Sequence, residues 1–290
     1  MVAELKKMIP AGAHVLFSHA MAGGIPRARV FMPLLNRVFK GTGDKYLSSE
    51  EFWNTGLGQL CQASFNEVSA DTFKYLIDAT AAVRETNSVR YTAYGYHGCE
   101  VLVGGSYTWQ SYTPYLQGAA KIRLEDHAIE ASKHGIVATV YNCPEIQTNS
   151  SALFMGVELS LYPLIEALRI EGNSVAAKTV LEECSSLLAD GVTLDQVLES
   201  AERYLSSPLL KPFDKVADWP HHSTREQMEL MLSASAELIA MNANPKDIVC
   251  APLSRAVFNA VGYLMFHDSF APEKPVAWLN HDIIARLINS

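Results

Sequence analysis

The chain has 290 residues, of which 49% are hydrophobic and 19% charged, with a formal net charge of −8. A chain of this length and apolar content buries a large core and is not disordered. The acidic balance, with no Lys/Arg cluster, speaks against a nucleic-acid surface, and the absence of an 18-residue apolar run speaks against a membrane span.

In chain order, residues 13–22, "AHVLFSHAMA", read as a short buried strand. Residues 23–46 hold four Gly and two Pro and read as an irregular loop with a helical piece. From Ser48 a serine cap and two glutamates open a helical pattern that runs through Val83. "SVRYTAYGY", 88–96, alternates like a strand, and "EVLVGGSYTW" is two β-runs about Gly104–Gly105, a hairpin signal. A helix then runs to about Lys133, Gly135 ends it, and "IVATVYNC" reads as a buried strand. Alternation of strand and helix predicts an α/β fold: a Rossmann-like parallel sheet flanked by helices. Beyond about residue 150 the pattern turns helical, with helices near 153–170, 174–189, 193–205 and 223–241, capped at Thr193 and at Ser223 or Thr224. Residues 245–290 read as helix and loop. The expected organisation is a Rossmann-like core over 1–155 and a mainly helical, substrate-covering region over 156–290 packed on the same domain.

The five cysteines are scattered, with no CxxC pair. That pattern disfavours a disulfide framework or a zinc site and fits a reducing cytoplasm. No secretory leader pattern stands in the first residues.

The stretch "SYTPYLQGAAK", 111–121, carries a chemical possibility. Thr113–Pro114 is a helix start, with Thr as N-cap and Pro at the first helical position. Lys121 then sits about two turns in, and Tyr115 falls on a different face from it. Tyr112 precedes the cap and is the better partner for Lys121. A tyrosine can give a proton to a developing enolate, and a nearby ammonium lowers its pKa and can hold a ribose hydroxyl.

The order of elements around that pair resembles the second half of the short-chain dehydrogenase/reductase fold, and most of all its enoyl-acyl-carrier-protein reductases. The family ends a strand in a Ser-Tyr-x-Gly-Ala-Glu-like segment, here Gly95-Tyr96-His97-Gly98-Cys99-Glu100. Tyr112 to Lys121 is Tyr-x8-Lys, the longest enoyl-reductase spacing. The turn over the nicotinamide matches Cys143-Pro144-Glu145-Ile146-Gln147-Thr148, and the strand end beside the cofactor matches Ser18-His19-Ala20. The loop over 23–44 is similar to that of long, triclosan-insensitive enoyl reductases.

The resemblance implies NADH- or NADPH-dependent reduction of the trans-2 double bond of an enoyl thioester, on acyl-carrier protein or CoA, in fatty-acid synthesis. It implies Tyr112, Tyr96 and Lys121 as catalytic residues. It implies Ser18, His19, Ala20, Lys121, Pro144, Ile146 and Thr148 around the cofactor, and no metal. Two departures stand out: Gly95 replaces the family's substrate-orienting serine, and Pro144 replaces a glycine. The family's Gly-rich first strand-and-turn is not found ahead of Ser18. Either the chain is the C-terminal portion of a longer enzyme or it has lost the dinucleotide half; the second case predicts impaired cofactor binding and a sheet edge covered by association into a homo-oligomer. The rival readings are a keto-reductase of the same superfamily, which the x8 spacing disfavours, and a non-catalytic remnant or binding protein.

Lys40, Arg37, Arg27 and Arg29 are candidate phosphate contacts or a solvated turn. His97 is a candidate tuner of Tyr96. His221–His222 lack a third ligand at metal spacing, and Ser106 lacks the G-x-S-x-G order of a hydrolase elbow. The apolar stretches 153–168 and 257–266 are core or the wall of an acyl-chain site.

Overall fold

The computed structural model describes residues 2–21, 49–112, 114, 116–148, 156–215, 218 and 220–288. The first element is α1 (Val2–Met8), followed by β1 (His14–His19). Then come α2 (Ser49–Trp53), α3 (Gly56–Asn66), a π-helical turn (Glu67–Asp71), α4 (Thr72–Ala79) and α5 (Ala81–Arg84). The strands β2 (Ser88–Gly95), β3 (Gly98–Val103) and β4 (Ser106–Ser111) follow, then α6 (Leu116–Lys133) and β5 (Ala138–Asn142). The rest is α7 (Leu164–Ile170), α8 (Val175–Ser186), α9 (Leu194–Leu205), α10 (Arg225–Ala240), α11 (Cys250–His267), β6 (Val276–Trp278) and α12 (His281–Leu287).

Four strands form a parallel sheet in the order β1-β2-β5-β6, so the predicted α/β sheet flanked by helices is present. Helices cover both faces. Tyr91, Ala93 and Val140 point to one face, where Phe73 and Ile77 of α4 and Leu124 and Ala128 of α6 pack on them. Tyr141 points to the other, against the larger core built by α7 to α12. Burial on both faces is why β5, buried along its whole length, reads as a nearly continuous apolar run. Leu124 has no exposed surface, and truncating such a residue to Ala removes about 2–5 kcal/mol.

The hairpin β3/β4 forms as expected, with Gly104 and Gly105 at φ +57° and +76°, the conformation a two-residue hairpin turn demands. Gly135, at φ +73°, closes α6. Thr193 and Thr224 cap α9 and α10, each in a capping box with the Gln three residues on.

Three expectations need correction. The helical stretch from Ser48 to Val83 is not one helix. Thr55 caps a new one, its hydroxyl accepting from the Gly58 amide at 2.9 Å, and the π turn and Thr80 break it again. Pro114 stands in a turn and α6 begins at Leu116, so Pro114 is not the first helical residue. Residues 245–290 contain a strand: β6 pairs with β5, the Val140 amide donating to Pro275 O at 2.9 Å. Three residues after a proline carry no alternation that would reveal a strand in sequence. The final strand thus returns from the helical region to the sheet.

Candidate active site

The carboxyl ends of the parallel strands bring three segments together: His19 to Met21 after β1, Gly95 to His97 at the end of β2, and Asn142 to Glu145 at the end of β5. Ligand sites in open parallel sheets lie at this edge. The close approach of β2 and β5 explains Gly95. A Cβ there would lie 2.3 Å from Asn142 Oδ1 and 2.7 Å from Val140 Cγ1. Asn142 needs that space: its Oδ1 accepts from the His97 amide at 3.2 Å and its Nδ2 donates to Glu125 Oε1 at 2.8 Å. His97 Nδ1 lies 2.8 Å from the same carboxylate oxygen. His97 is therefore tied to Glu125 of α6, and this buried network locks the strand ends.

Tyr112 directly follows β4, its amide donating to His97 O at 2.8 Å. The hairpin, not the helix, positions it, as expected for a residue ahead of the cap. Its hydroxyl lies 3.4 Å from Cys99 Sγ and 3.2 Å from Ser160 Oγ, and accepts from the Glu145 amide at 3.3 Å. Burial, with Cys99 and Glu145 as lesser causes, pushes the Tyr112 phenol well above the usual tyrosine range. Burial likewise holds Cys99 as a neutral thiol, pushed up to about 12. Tyr96 stacks on Tyr112 with ring centroids 4.8 Å apart, and its hydroxyl donates to Glu145 Oε2.

Tyr112, Ser160 and Glu145 share the wall of a cleft of about 620 Å³, its open mouth included. The rest of the wall is mostly apolar, with Leu159, Leu210, Phe213, Met228 and Met231 prominent. Phe213 belongs to a 3-10 turn and the two methionines to α10. Of the two apolar stretches singled out in sequence, 153–168 contributes Leu159, while 257–266 contributes none of the lining residues. Such a wall with a few convergent polar groups suits an acyl chain ending in a polar thioester.

Lys121 projects from the buried stripe of α6, beside Leu124, Glu125, Ala128 and Ala131. It has no exposed surface. Its ammonium donates to Met21 O at 2.9 Å and to Ser69 O at 3.3 Å. Ser69 lies in the π turn, where the helical ladder is broken and a carbonyl can serve an outside donor. Burial lowers the Lys121 pKa to about 7. Lys121 and Tyr112 do not hydrogen-bond to each other; each has its own partners.

His19 is 5% exposed, and its Nε2 lies 2.7 Å from Thr72 Oγ1. That hydroxyl donates to Val68 O, so it receives the His19 Nε2 proton. His19 Nδ1 is then a buried acceptor without a partner, and so is the Ser69 hydroxyl. Burial, then the Lys121 charge, lowers His19 to about 4, which keeps it neutral. Two orphaned polar atoms, one at the end of β1 and one in the π turn that Lys121 bonds, fit the hydroxyl groups of a cofactor ribose.

Of the other sequence candidates, Ser18 and Ala20 are exposed at the end of β1, and Pro144 is buried. Ile146 packs in the main core, and Thr148 is half-buried. His221 and His222 meet Trp53 with ring centroids 6.2 and 5.2 Å away. Ser106 opens β4 on the surface. Thr113, Tyr115, Arg27, Arg29, Arg37 and Lys40 lie outside the described residues. Sequence reasoning missed Glu145, Ser160, Glu125 and Asn142. Glu145 had one visible signal, a carboxylate between Pro144 and Ile146 in the turn after the buried strand.

A family model, the enoyl-acyl carrier protein reductase FabMG, matches residues 1–288. The chain belongs to the FabMG enoyl-acyl carrier protein reductase family. Two solved structures of the family are similar to it. The apo structure of FabMG, described as a novel type of enoyl-acyl carrier protein reductase, is 46% identical with a TM-score of 0.94, over 99% of this chain and 66% of that one. The NADH-bound structure of FabMG is 43% identical with a TM-score of 0.81, over 94% of this chain and 68% of that one. The chain thus spans about two thirds of the length of the solved FabMG chains. No match was found among curated proteins.

Proposed function

We propose that the chain reduces the trans-2 double bond of an enoyl thioester, on acyl-carrier protein or CoA, in fatty-acid synthesis, with NADH as reductant. The observation that carries the reading is Tyr112: a buried phenol in the wall of an apolar cleft, at the carboxyl edge of a parallel sheet, in a chain of an enoyl-reductase family. The NADH-bound FabMG structure supports the choice of cofactor.

When bound, NADH supplies the hydride. The chain's own residues do the rest. Lys121, His19 and Ser69 would hold the ribose hydroxyls between the end of β1 and the π turn. The cleft wall, from Leu159 to Met231, takes the acyl chain and excludes water from it. Tyr112 donates its proton to the enolate that hydride addition creates, which is general acid catalysis by a group whose proton stays on at neutral pH. Tyr96 supports Tyr112 from behind its ring. The Tyr112-x8-Lys121 spacing supports placing the enzyme with the short-chain dehydrogenase/reductase type. It acts through two separately anchored groups, since the pair makes no direct bond. With no membrane-crossing helix among the described residues and scattered buried thiols, we read the enzyme as cytoplasmic.

The test is loss of NADH absorbance with crotonyl-CoA and with an enoyl-carrier substrate. Turnover is expected, and Tyr112→Phe is expected to lose about 10²- to 10⁴-fold. A folded chain that leaves NADH untouched with both substrates overturns the reading.

A further inference from the structure

Glu145 is a buried carboxylate, 2% exposed, that still reaches the cleft wall. A buried charge needs hydrogen-bond partners. The Tyr96 hydroxyl donates to Oε2, and the Ile146 amide donates to Oε1 at 3.3 Å. Both oxygens accept, the pattern of an ionised carboxylate. The residue's own amide donates in turn to the Tyr112 hydroxyl oxygen at 3.3 Å. One residue therefore grips two stacked tyrosines in opposite senses: it takes the proton side of Tyr96 and supports the oxygen side of Tyr112. Of the two, Tyr112 lines the cleft and Tyr96 does not.

We propose that Glu145 is the positioning residue that divides the labour of the tyrosines: its carboxylate commits the Tyr96 proton, and its amide fixes Tyr112 as the proton donor to substrate. The inference rests on the enoyl-reduction reading. The step balances simply. The Tyr112 O–H bond breaks as a C–H bond forms at the substrate α-carbon. The negative charge of the enolate passes to the Tyr112 oxygen, where the Glu145 amide and Ser160 can donate to it. A proton from solvent then reloads the phenol. The carboxylate beside Tyr112 helps keep the phenol protonated between turnovers. The other titratable groups around the pair are Cys99 of β3, Tyr94 of β2 and Cys143 after β5, all held neutral by burial, with Lys121 of α6 acting on Cys143.

The test compares wild type, Glu145→Gln and Tyr96→Phe with crotonyl-CoA and NADH from neutral to alkaline pH. Glu145→Gln keeps the shape and removes the charge. Its KM for crotonyl-CoA is expected within about threefold of wild type and its kcat about tenfold lower. The alkaline limb of its kcat profile is expected about one pH unit lower. Tyr96→Phe keeps the stacked ring and is expected to lower kcat far less than Tyr112→Phe does. An unmoved alkaline limb in Glu145→Gln, or a Tyr96→Phe loss as deep as that of Tyr112→Phe, overturns the proposal. If Glu145→Gln does not fold, Tyr96→Phe alone decides. Tyrosinate absorbance titrations of the same proteins read the displacement without turnover. An inactive wild type would then sink the proposed reaction, while the titration still decides Glu145.

Discussion

Gly95 and Asn142 face each other across β2 and β5, and a Cβ on Gly95 would fall 2.3 Å from the Asn142 side-chain oxygen. The glycine exists to admit the asparagine, and the asparagine joins the His97 amide to Glu125. Gly95→Ser, which adds a side chain at this contact, is expected to destabilise the fold. Overpacking of this kind removes about 1–3 kcal/mol, and displacing Asn142 leaves Glu125 short of a donor. Urea unfolding reads the loss, and a variant as stable as wild type would show that the strands part freely here.

Lys121 offers a second handle. Its pKa is about 10.5 in the unfolded chain and about 7 in the fold. Between those values the folded chain binds fewer protons, so stability from this group rises as pH climbs from about 7 toward 10.5. Lys121→Met, similar in length but uncharged, is expected to flatten that rise in the thermal midpoint and to raise the KM for NADH at least about tenfold. An unchanged KM would remove Lys121 from the cofactor site.

His281 opens α12 with no exposed surface, and neither ring nitrogen has a hydrogen-bond partner. Burial lowers its pKa from 6.5 to about 3. The unfolded chain takes up this proton first as pH falls. The stability that depends on a neutral His281 is thus whole above about pH 6.5 and is lost progressively toward pH 3. His19, lowered to about 4, acts in the same sense over a narrower range. His281→Leu is expected to make the acid limb of the unfolding midpoint shallower while leaving the value at pH 7 nearly unchanged. An acid limb identical to that of wild type would assign the loss to other groups.

Met231 narrows the cleft from α10, pressed so close to Gly156 that a Cβ there would meet its Cγ at 2.3 Å. Met231→Trp is expected to raise the KM for a long-chain enoyl thioester about tenfold and to leave that for crotonyl-CoA within about threefold. Equal effects on both chain lengths would place the acyl chain elsewhere.

The alternation of strand and helix, the Gly104–Gly105 hairpin, the threonine caps and the Tyr112–Lys121 spacing are local patterns. They depend on dihedral preference and periodicity over a few residues, and so they could be read from the chain alone. Three features could not. The strand β6 takes its hydrogen bonds from β5, more than 130 residues away, and its three residues carry no pattern of their own. The separate anchoring of Lys121 depends on carbonyls from the end of β1 and the π turn, which only packing brings to α6. Glu145 looked like one residue in a turn; its grip on Tyr96 and Tyr112 appears only when β2, the hairpin and β5 end at one edge of the sheet. Chemistry-bearing residue types were visible in sequence, but their division of roles was set by which buried polar groups the fold left for each to satisfy.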